Sequence, residues 1–337
     1  MSASFSPGGL LRRPEAGAAL GLIAVLVFFA IFGGLTFLKP AGMASWLNVA
    51  ANLGVIAIPL GLLMIAGELD ISVGAMVPFG AMTVAVISGH YGLPIWLGVA
   101  VALSFGVIVG LVNGVLVVKT AVPSLIVTLG SLFAVQGIVL GLTVLITKST
   151  SVALTVEGPA KALFGDFVLG GQLQVMVLWW LGLSALYIFF VHVSPFGNWI
   201  FAMGGDKVSA RNAGIPTDRL TIILFVLSAT SAAFVGMCQA ILYNSAQVAG
   251  GQSFIFNAII SVVVGGVLLT GGFGSVVGIF FGTITFAIVT QGIYYTDFDR
   301  NWSSLIIGVL LLGAVLMNNT FRKMALSATT KKKGAKV

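Results

Sequence analysis

The chain has 337 residues, of which 58% are hydrophobic and only 7% charged, with a formal charge of +7 and a mean hydropathy of +1.13. A soluble protein carries about a quarter charged residues, so this composition excludes a water-facing globular surface. The basic residues sit at the chain ends and in connectors, which excludes nucleic-acid binding, and the single Cys238 excludes an intrachain disulfide.

Ten apolar segments of about twenty residues, the length that crosses a bilayer, predict an all-α polytopic membrane protein. They run from Gly17 to Leu38, Trp46 to Ala66, Val73 to Gly89, Ile95 to Val118, Ser124 to Thr147, Gln174 to Val193, Leu220 to Tyr243, Phe254 to Thr270, Ser275 to Tyr294 and Trp302 to Asn318. The first exceeds the apolar core of a secretory signal and has no small-x-small cleavage site after it, so it reads as a retained span. An even count places both termini on one side. Arg12, Arg13, Lys119, Lys207, Arg211, Arg219, Arg322, Lys323, Lys331, Lys332, Lys333 and Lys336 share that side, against Lys39, Lys148, Lys161 and Arg300. The positive-inside rule makes it the cytoplasm. The division is then a cytoplasmic segment 1–16, a transmembrane domain 17–320 with a cytoplasmic insert at 194–219, and a basic tail 321–337 held near anionic lipid headgroups.

In chain order, Gly67-Glu68-Leu69-Asp70-Ile71-Ser72-Val73-Gly74 separates the second and third spans. Glu68 and Asp70 are two apart and cannot share a helix face, so with glycines at both ends the stretch predicts a break. It reads either as a gate or hinge built from Glu68, Asp70, Ser72 and Gly74, or as a capped interfacial turn with Asp70 as the N-cap of the third span. Pro59 and Pro123 kink or start helices. The connector Lys148 to Gly171 carries Glu157, Lys161 and Asp166 and either covers a pathway mouth or is a plain solvated loop. His90 and His192, near span ends, read as interfacial.

Asn52, Asn113, Thr128, Gln136, Gln239, Asn244, Asn257 and Gln291 are uncharged polar groups in apolar spans. They fit interhelical hydrogen bonding, and Asn113, Thr128, Gln136, Asn244 and Asn257 are candidates for lining a path for a neutral polyhydroxylated solute. Gly106, Gly110 and Gly114 on the fourth span and Gly274, Gly278 and Gly282 around the ninth recur every four residues, the spacing of close helix contact. Five spans apart, they are consistent with an inverted repeat. The polar island from Pro195 to Arg219 is where this chain meets water. Phosphate-cradling, nucleophile-elbow and metal-ligand motifs are absent from the sequence, so the chain reads as a non-enzyme with no cofactor of its own.

Four blocks carry a resemblance. Glu68 to Gly74 resembles the Gly-Gly-Ile-Asp-Leu-Ser-Val-Gly block of the permease subunits of binding-protein-dependent sugar ABC importers, the group serving ribose, xylose and galactosides. Pro123 to Gly130 with Gln136-Gly137 is similar to that family's Pro-Phe-Ile-x-Thr-Leu-Gly block, and the island matches its Gly-Arg-x-x-Tyr-Ala-x-Gly-Gly-Asn segment at Gly197, Ala202, Gly204 and Gly205 and beyond it at Ala210, Gly214 and Ile215. A fourth block, Gly271-Gly272-Phe273-Gly274-Ser275, resembles its Gly-Gly-x-Gly-Ser. The chain departs from the pattern where Glu68 replaces the second glycine, where Asp206 replaces Asn, and where Phe254 to Ile260 lacks an acid.

The resemblance implies a bacterial inner-membrane permease, paired with a second copy or a similar permease, that imports a monosaccharide or sugar-like polyol. A periplasmic sugar-binding protein docks outside. A separate cytoplasmic ATPase holds ATP and Mg and meets a coupling helix carrying Gly204, Gly205, Asp206, Lys207 and Arg211. Two alternatives remain: an ion-coupled secondary transporter using Glu68 or Asp70, and a branched-chain amino acid ABC permease, for which a carboxylate-binding Arg in a span is missing.

Overall fold

The computed structural model describes residues 14–120, 122–313 and 315–316. Arg12, Arg13, the tail 321–337 and the end of the last expected span lie outside the described residues. The first half consists of α1 (Pro14–Phe32), α2 (Gly34–Leu38), α3 (Pro40–Ile65), α4 (Val73–Val84) running into a π-helical turn (Ala85–His90), α5 (Ile95–Lys119) and α6 (Ser124–Thr147). A connector with β1 (Ser151–Ala153), α7 (Pro159–Phe164), β2 (Phe167–Val168) and β3 (Leu173–Gln174) leads to α8 (Met176–Val193). Then come α9 (Pro195–Gly205), α10 (Lys207–Asn212), α11 (Thr217–Tyr243), β4 (Ser245–Gln247), α12 (Gln252–Val264), α13 (Val276–Gly292) and α14 (Ser303–Gly313).

Helices that are apolar all round belong either inside a protein or in lipid, and this chain uses both. α3, α4, α11 and α13 are largely buried, whereas α1, α5, α6 and α8 expose side chains such as Ile31, Phe133, Leu145 and Phe189. α3 and α11 are the two central helices. α4 and α5 pack on α11, and α12 and α13 pack on α3. Small residues make the closest approaches on α11 and between α12 and α13. A Cβ on Gly106, Gly110 or Gly114 would reach the backbone of Thr230, Val226 or Ile222 on α11, and one on Gly278 or Gly282 would reach Gly265 or Ser261. Gly274 stands outside α13, at φ 153°, against Val267 and Ile65. β1 and β4 pair antiparallel, Ser151 opposite Gln247, and this ribbon ties the two halves together at one end.

Eight of the ten expected spans are matched by helices that, among the described residues, are long and apolar enough to cross a membrane, and the tenth expected span runs past the described residues. The expected eighth span is a 13-residue helix, about 20 Å long against a hydrocarbon core of about 30 Å. Gly265 and Gly266, the latter at φ 92°, stop it. Gly33, followed by Gly34 at φ 64°, likewise separates α1 from α2 within the expected first span. A hydropathy window registers glycine as mildly apolar and does not register that it ends a helix.

Candidate functional site

Two regions concentrate the polar chemistry. At the first, the chain leaves α3 through Gly67 at φ 89° and is non-helical until Ser72. Asp70 is wholly buried, and its Oδ1 accepts the Ser72 amide at 2.9 Å and the Ser72 hydroxyl at 2.5 Å. This is an Asx-type turn. Asp70 therefore shapes the approach to α4, and the N-cap itself is Ser72. The Ser72 hydroxyl accepts from the Asn113 amide at 3.0 Å, and Asn113 Oδ1 accepts from the Ser131 hydroxyl. Ser228 of α11 lies alongside the Asp70 carboxyl. The Leu69 amide donates to Ser124 Oγ at 3.1 Å and the Ile71 amide to Thr128 Oγ1 at 3.3 Å, so hydroxyls of α6 satisfy backbone donors that the broken helix leaves unpaired.

The other blocks close on the same hinge. The Gly272 amide donates to the Ile65 carbonyl at 2.8 Å. A Cβ on Gly204 would overlap that carbonyl and lie 2.5 Å from the Gly272 nitrogen, and one on Gly271 would lie 2.9 Å from the Gly67 Cα. Three glycine-bearing backbones, 65–67, 204–205 and 271–272, are thus stacked without room for side chains. Gly205, by contrast, faces open space.

The island folds as two short helices. Ser194 caps α9, accepting the Phe196 amide at 3.3 Å, and Pro195 takes the first helical position. Asp206 caps α10, its Oδ1 accepting the Ser209 amide at 2.6 Å, and the Ser209 bonds hold its carboxyl below the ordinary aspartate range. Lys207 and Ala210 share the inner face of α10, while Val208, 70% exposed, Arg211 and Asn212 share the outer one. Lys207 Nζ pairs with Glu68 Oε1 at 2.6 Å. Arg211 pairs with Asp218, and its Nε donates to Thr217 Oγ1 at 3.2 Å.

The second region is a cavity of about 880 Å³ between the β1–β4 ribbon and the membrane helices. Gly74 and Pro78 of α4 and Gln136, Val139 and Leu140 of α6 form one side; Thr150, Ser151 and residues 247–253 form the other. Its polar groups are Gln136, Thr150, Ser151, Gln247, Gln252 and Ser253, and its lining residues carry no charge. A void of about 280 Å³ shares the wall Gln247, Ala249, Gly250 and Gly251. Gly74 joins the two regions: it borders the cavity, and a Cβ there would contact Ile255 and Gly251.

Of the pathway candidates, Gln136 faces the cavity. Asn113 and Thr128 are buried in the hinge network and do not border it. Asn244 occupies the left-handed C-cap of α11 at φ 53°, where Lys161 donates to its side chain at 3.2 Å and to the Ile241 and Leu242 carbonyls at 2.6 and 3.1 Å. Asn257 is half-buried on α12, its carbonyl accepting from Ser261. Sequence reasoning missed Gln247 and Gln252, amides that fall in a connector and a helix start, and Ser124, whose place directly after Pro123 is the one local signal for its role.

The sequence model of the family described as branched-chain amino acid transport system, permease component, matches residues 42–315. The chain is 31% identical to the inner membrane ABC transporter permease protein YjfF of Escherichia coli, over 77% of this chain and 78% of that protein. It is 28% identical to the fructose import permease FrcC of Rhizobium meliloti, over 94% and 88%, and 29% identical to the ribose import permease RbsC of Escherichia coli, over 88% and 92%.

Proposed function

The chain belongs to the family of branched-chain amino acid transport system permease components, and from that premise we propose that it forms the translocation path of an ATP-driven importer for a monosaccharide or sugar-like polyol. The observation that carries the reading is the cavity's lining, amides and hydroxyls with no charged side chain. Such a wall exchanges hydrogen bonds with a neutral polyhydroxylated solute. It offers no cation for an amino acid's carboxylate, and the relatives named as import permeases for fructose and ribose point the same way. An ion-coupled carrier is less well supported, because Glu68 is engaged by Lys207 and the Oδ1 of Asp70 by the Ser72 turn.

In this reading the chain sits in the bacterial inner membrane beside a second permease. The ribbon end faces a periplasmic sugar-binding protein. The island end meets a cytoplasmic ATPase that holds ATP and Mg, with the outer face of α10, Val208 and Arg211, entering its cleft. Closure of the ATPase pushes α9 and α10 against the hinge, and the hinge moves Gly74 at the cavity wall.

The test is reconstitution in proteoliposomes with the ATPase and the binding protein, scoring labelled D-ribose, D-fructose and D-xylose with leucine as competitor. ATP-dependent sugar uptake that requires the binding protein and ignores leucine is expected. Gradient-driven uptake by this chain alone would sink the proposal.

A further inference from the structure

Glu68 is the residue at which the hinge block departs from the pattern it resembles, and the structure gives that departure a partner. Lys207 Nζ lies 2.6 Å from Glu68 Oε1, with the glutamate side chain 12% and the lysine side chain 35% exposed. Lys207 belongs to the inner face of α10, so it turns away from the surface that would meet a soluble partner. Arg211, the other cation of α10, is held locally by Asp218 and Thr217.

We propose that the Glu68–Lys207 ion pair is a positioning tie through which α10 pulls on the hinge, a role that rests on the permease reading above. The argument concerns direction of force. Gly204 is pressed against the Ile65 carbonyl and the Gly272 amide. Steric contact resists approach and offers little against separation, so the glycine stack transmits a push. A transport cycle also needs the return stroke. Among the described residues, the Lys207–Glu68 pair is the polar bond that joins α10 to residues 66–74. Glu68 precedes Asp70 by two residues, and the Asp70 turn leads through Ser72 to Gly74 at the cavity. Tension on Glu68 is therefore applied to the backbone that α6 holds through Ser124 and Thr128. An exposed surface pair contributes little, but this one has its acid largely shielded and sits between two segments 139 residues apart in sequence.

The experiment compares Glu68→Gln, Lys207→Gln and the exchanged pair E68K/K207E in the full complex in proteoliposomes. It measures ATP hydrolysis together with uptake of labelled D-ribose, D-fructose and D-xylose. Each single variant is expected to assemble at the wild-type level while sugar imported per ATP falls by about threefold or more, and the exchanged pair to recover most of the ratio. A merely structural pair would lower the amount of assembled complex and leave the ratio alone, which would overturn the proposal, as would an exchanged pair no better than the singles. If the wild-type complex imports none of the three sugars, the sugar reading falls separately. The tie is then read from hydrolysis: single variants should shift its rate by about threefold and the exchange restore it, and unshifted rates would refute the tie.

Discussion

The hinge and the cavity are both polar regions inside an apolar chain, and they are built in opposite ways. At the hinge, three segments far apart in sequence meet through backbone, with glycines where a side chain would intrude, and hydroxyls of α6 accept the Leu69 and Ile71 amides. At the cavity the polar groups sit on the ribbon and the residue before it, the first turn of α12 and one face of α6, and leave about 880 Å³ between them. The difference teaches where rigidity is placed. A junction that transmits movement has to be incompressible, and one that admits a solute has to present hydrogen-bonding groups not already used by the protein. Gly74 belongs to both, so in the proposed reading displacement of the first region changes the shape of the second.

The sharpest way to break this contrast is at adjacent glycines. Gly204→Val places a side chain into the Ile65 carbonyl and the Gly272 backbone, neither of which can rotate away. Overpacking of that kind costs about 3 kcal/mol or more, so the variant should show a large fall in Tm in detergent and poor accumulation in membranes. Gly205→Ala, one residue on, meets nothing within 4 Å and should behave as wild type. Equal tolerance of both substitutions would remove the stacked junction from consideration.

Asp70 comes next in size. Asp70→Ala leaves the buried Ser72 amide and hydroxyl without their acceptor, a loss of about 2 kcal/mol. Asp70→Asn keeps an oxygen at Oδ1 and should recover more than half of the lost stability. Thermal unfolding of the two variants side by side checks this, and an Asn variant as unstable as the Ala one would show that the charge, rather than the turn, matters.

Much of the fold is legible in the sequence because apolar length is a strong signal, and α5 and α6 begin and end within a residue of where hydropathy places them. The short α12 is not, because its end is set by Gly265 and Gly266 and not by a polar residue. The break at Glu68 and Asp70 is legible from their spacing and the flanking glycines. Its partners are not: Ser124 lies 55 residues from Leu69, and Lys207 lies 139 from Glu68. Helical spacing does place Lys207 with Ala210 and Val208 with Arg211 on opposite faces of α10, but which face turns inward is decided by Glu68. Asn113 illustrates the same limit. An amide in an apolar span fits a pathway or a hydrogen bond equally well, and only the position of Ser72 and Ser131 decides between them.

At the cavity the expected effect is smaller and of a different kind. Gln136→Leu removes one side-chain amide from the wall without touching the hinge. Loss of one hydrogen bond of about 1 kcal/mol predicts a rise of about fivefold in the KM for sugar uptake, with ATP hydrolysis unchanged. Altered hydrolysis at unchanged KM would place Gln136 with the hinge instead. Gln252→Leu, on the opposite side of the same cavity, is expected to repeat the pattern.

The smallest effect is expected at Asp206, which stands where the resembling segment has Asn. Asn and Asp are comparable N-caps, so Asp206→Asn should leave transport at neutral pH close to wild type. The two should separate only in acid. The Ser209 bonds hold the Asp206 carboxyl below its ordinary value of 3.8, so the cap's contribution is fully present above that value and is lost as pH falls through the lower value of the folded protein. A pH series of the hydrogen-exchange rate of the Ser209 amide should therefore show wild-type protection weakening below about pH 3.8 while the Asn variant stays level across the same range. A variant that loses protection in parallel with wild type would mean that α10 opens in acid for another reason, and would detach the capping carboxylate from the stability of that helix.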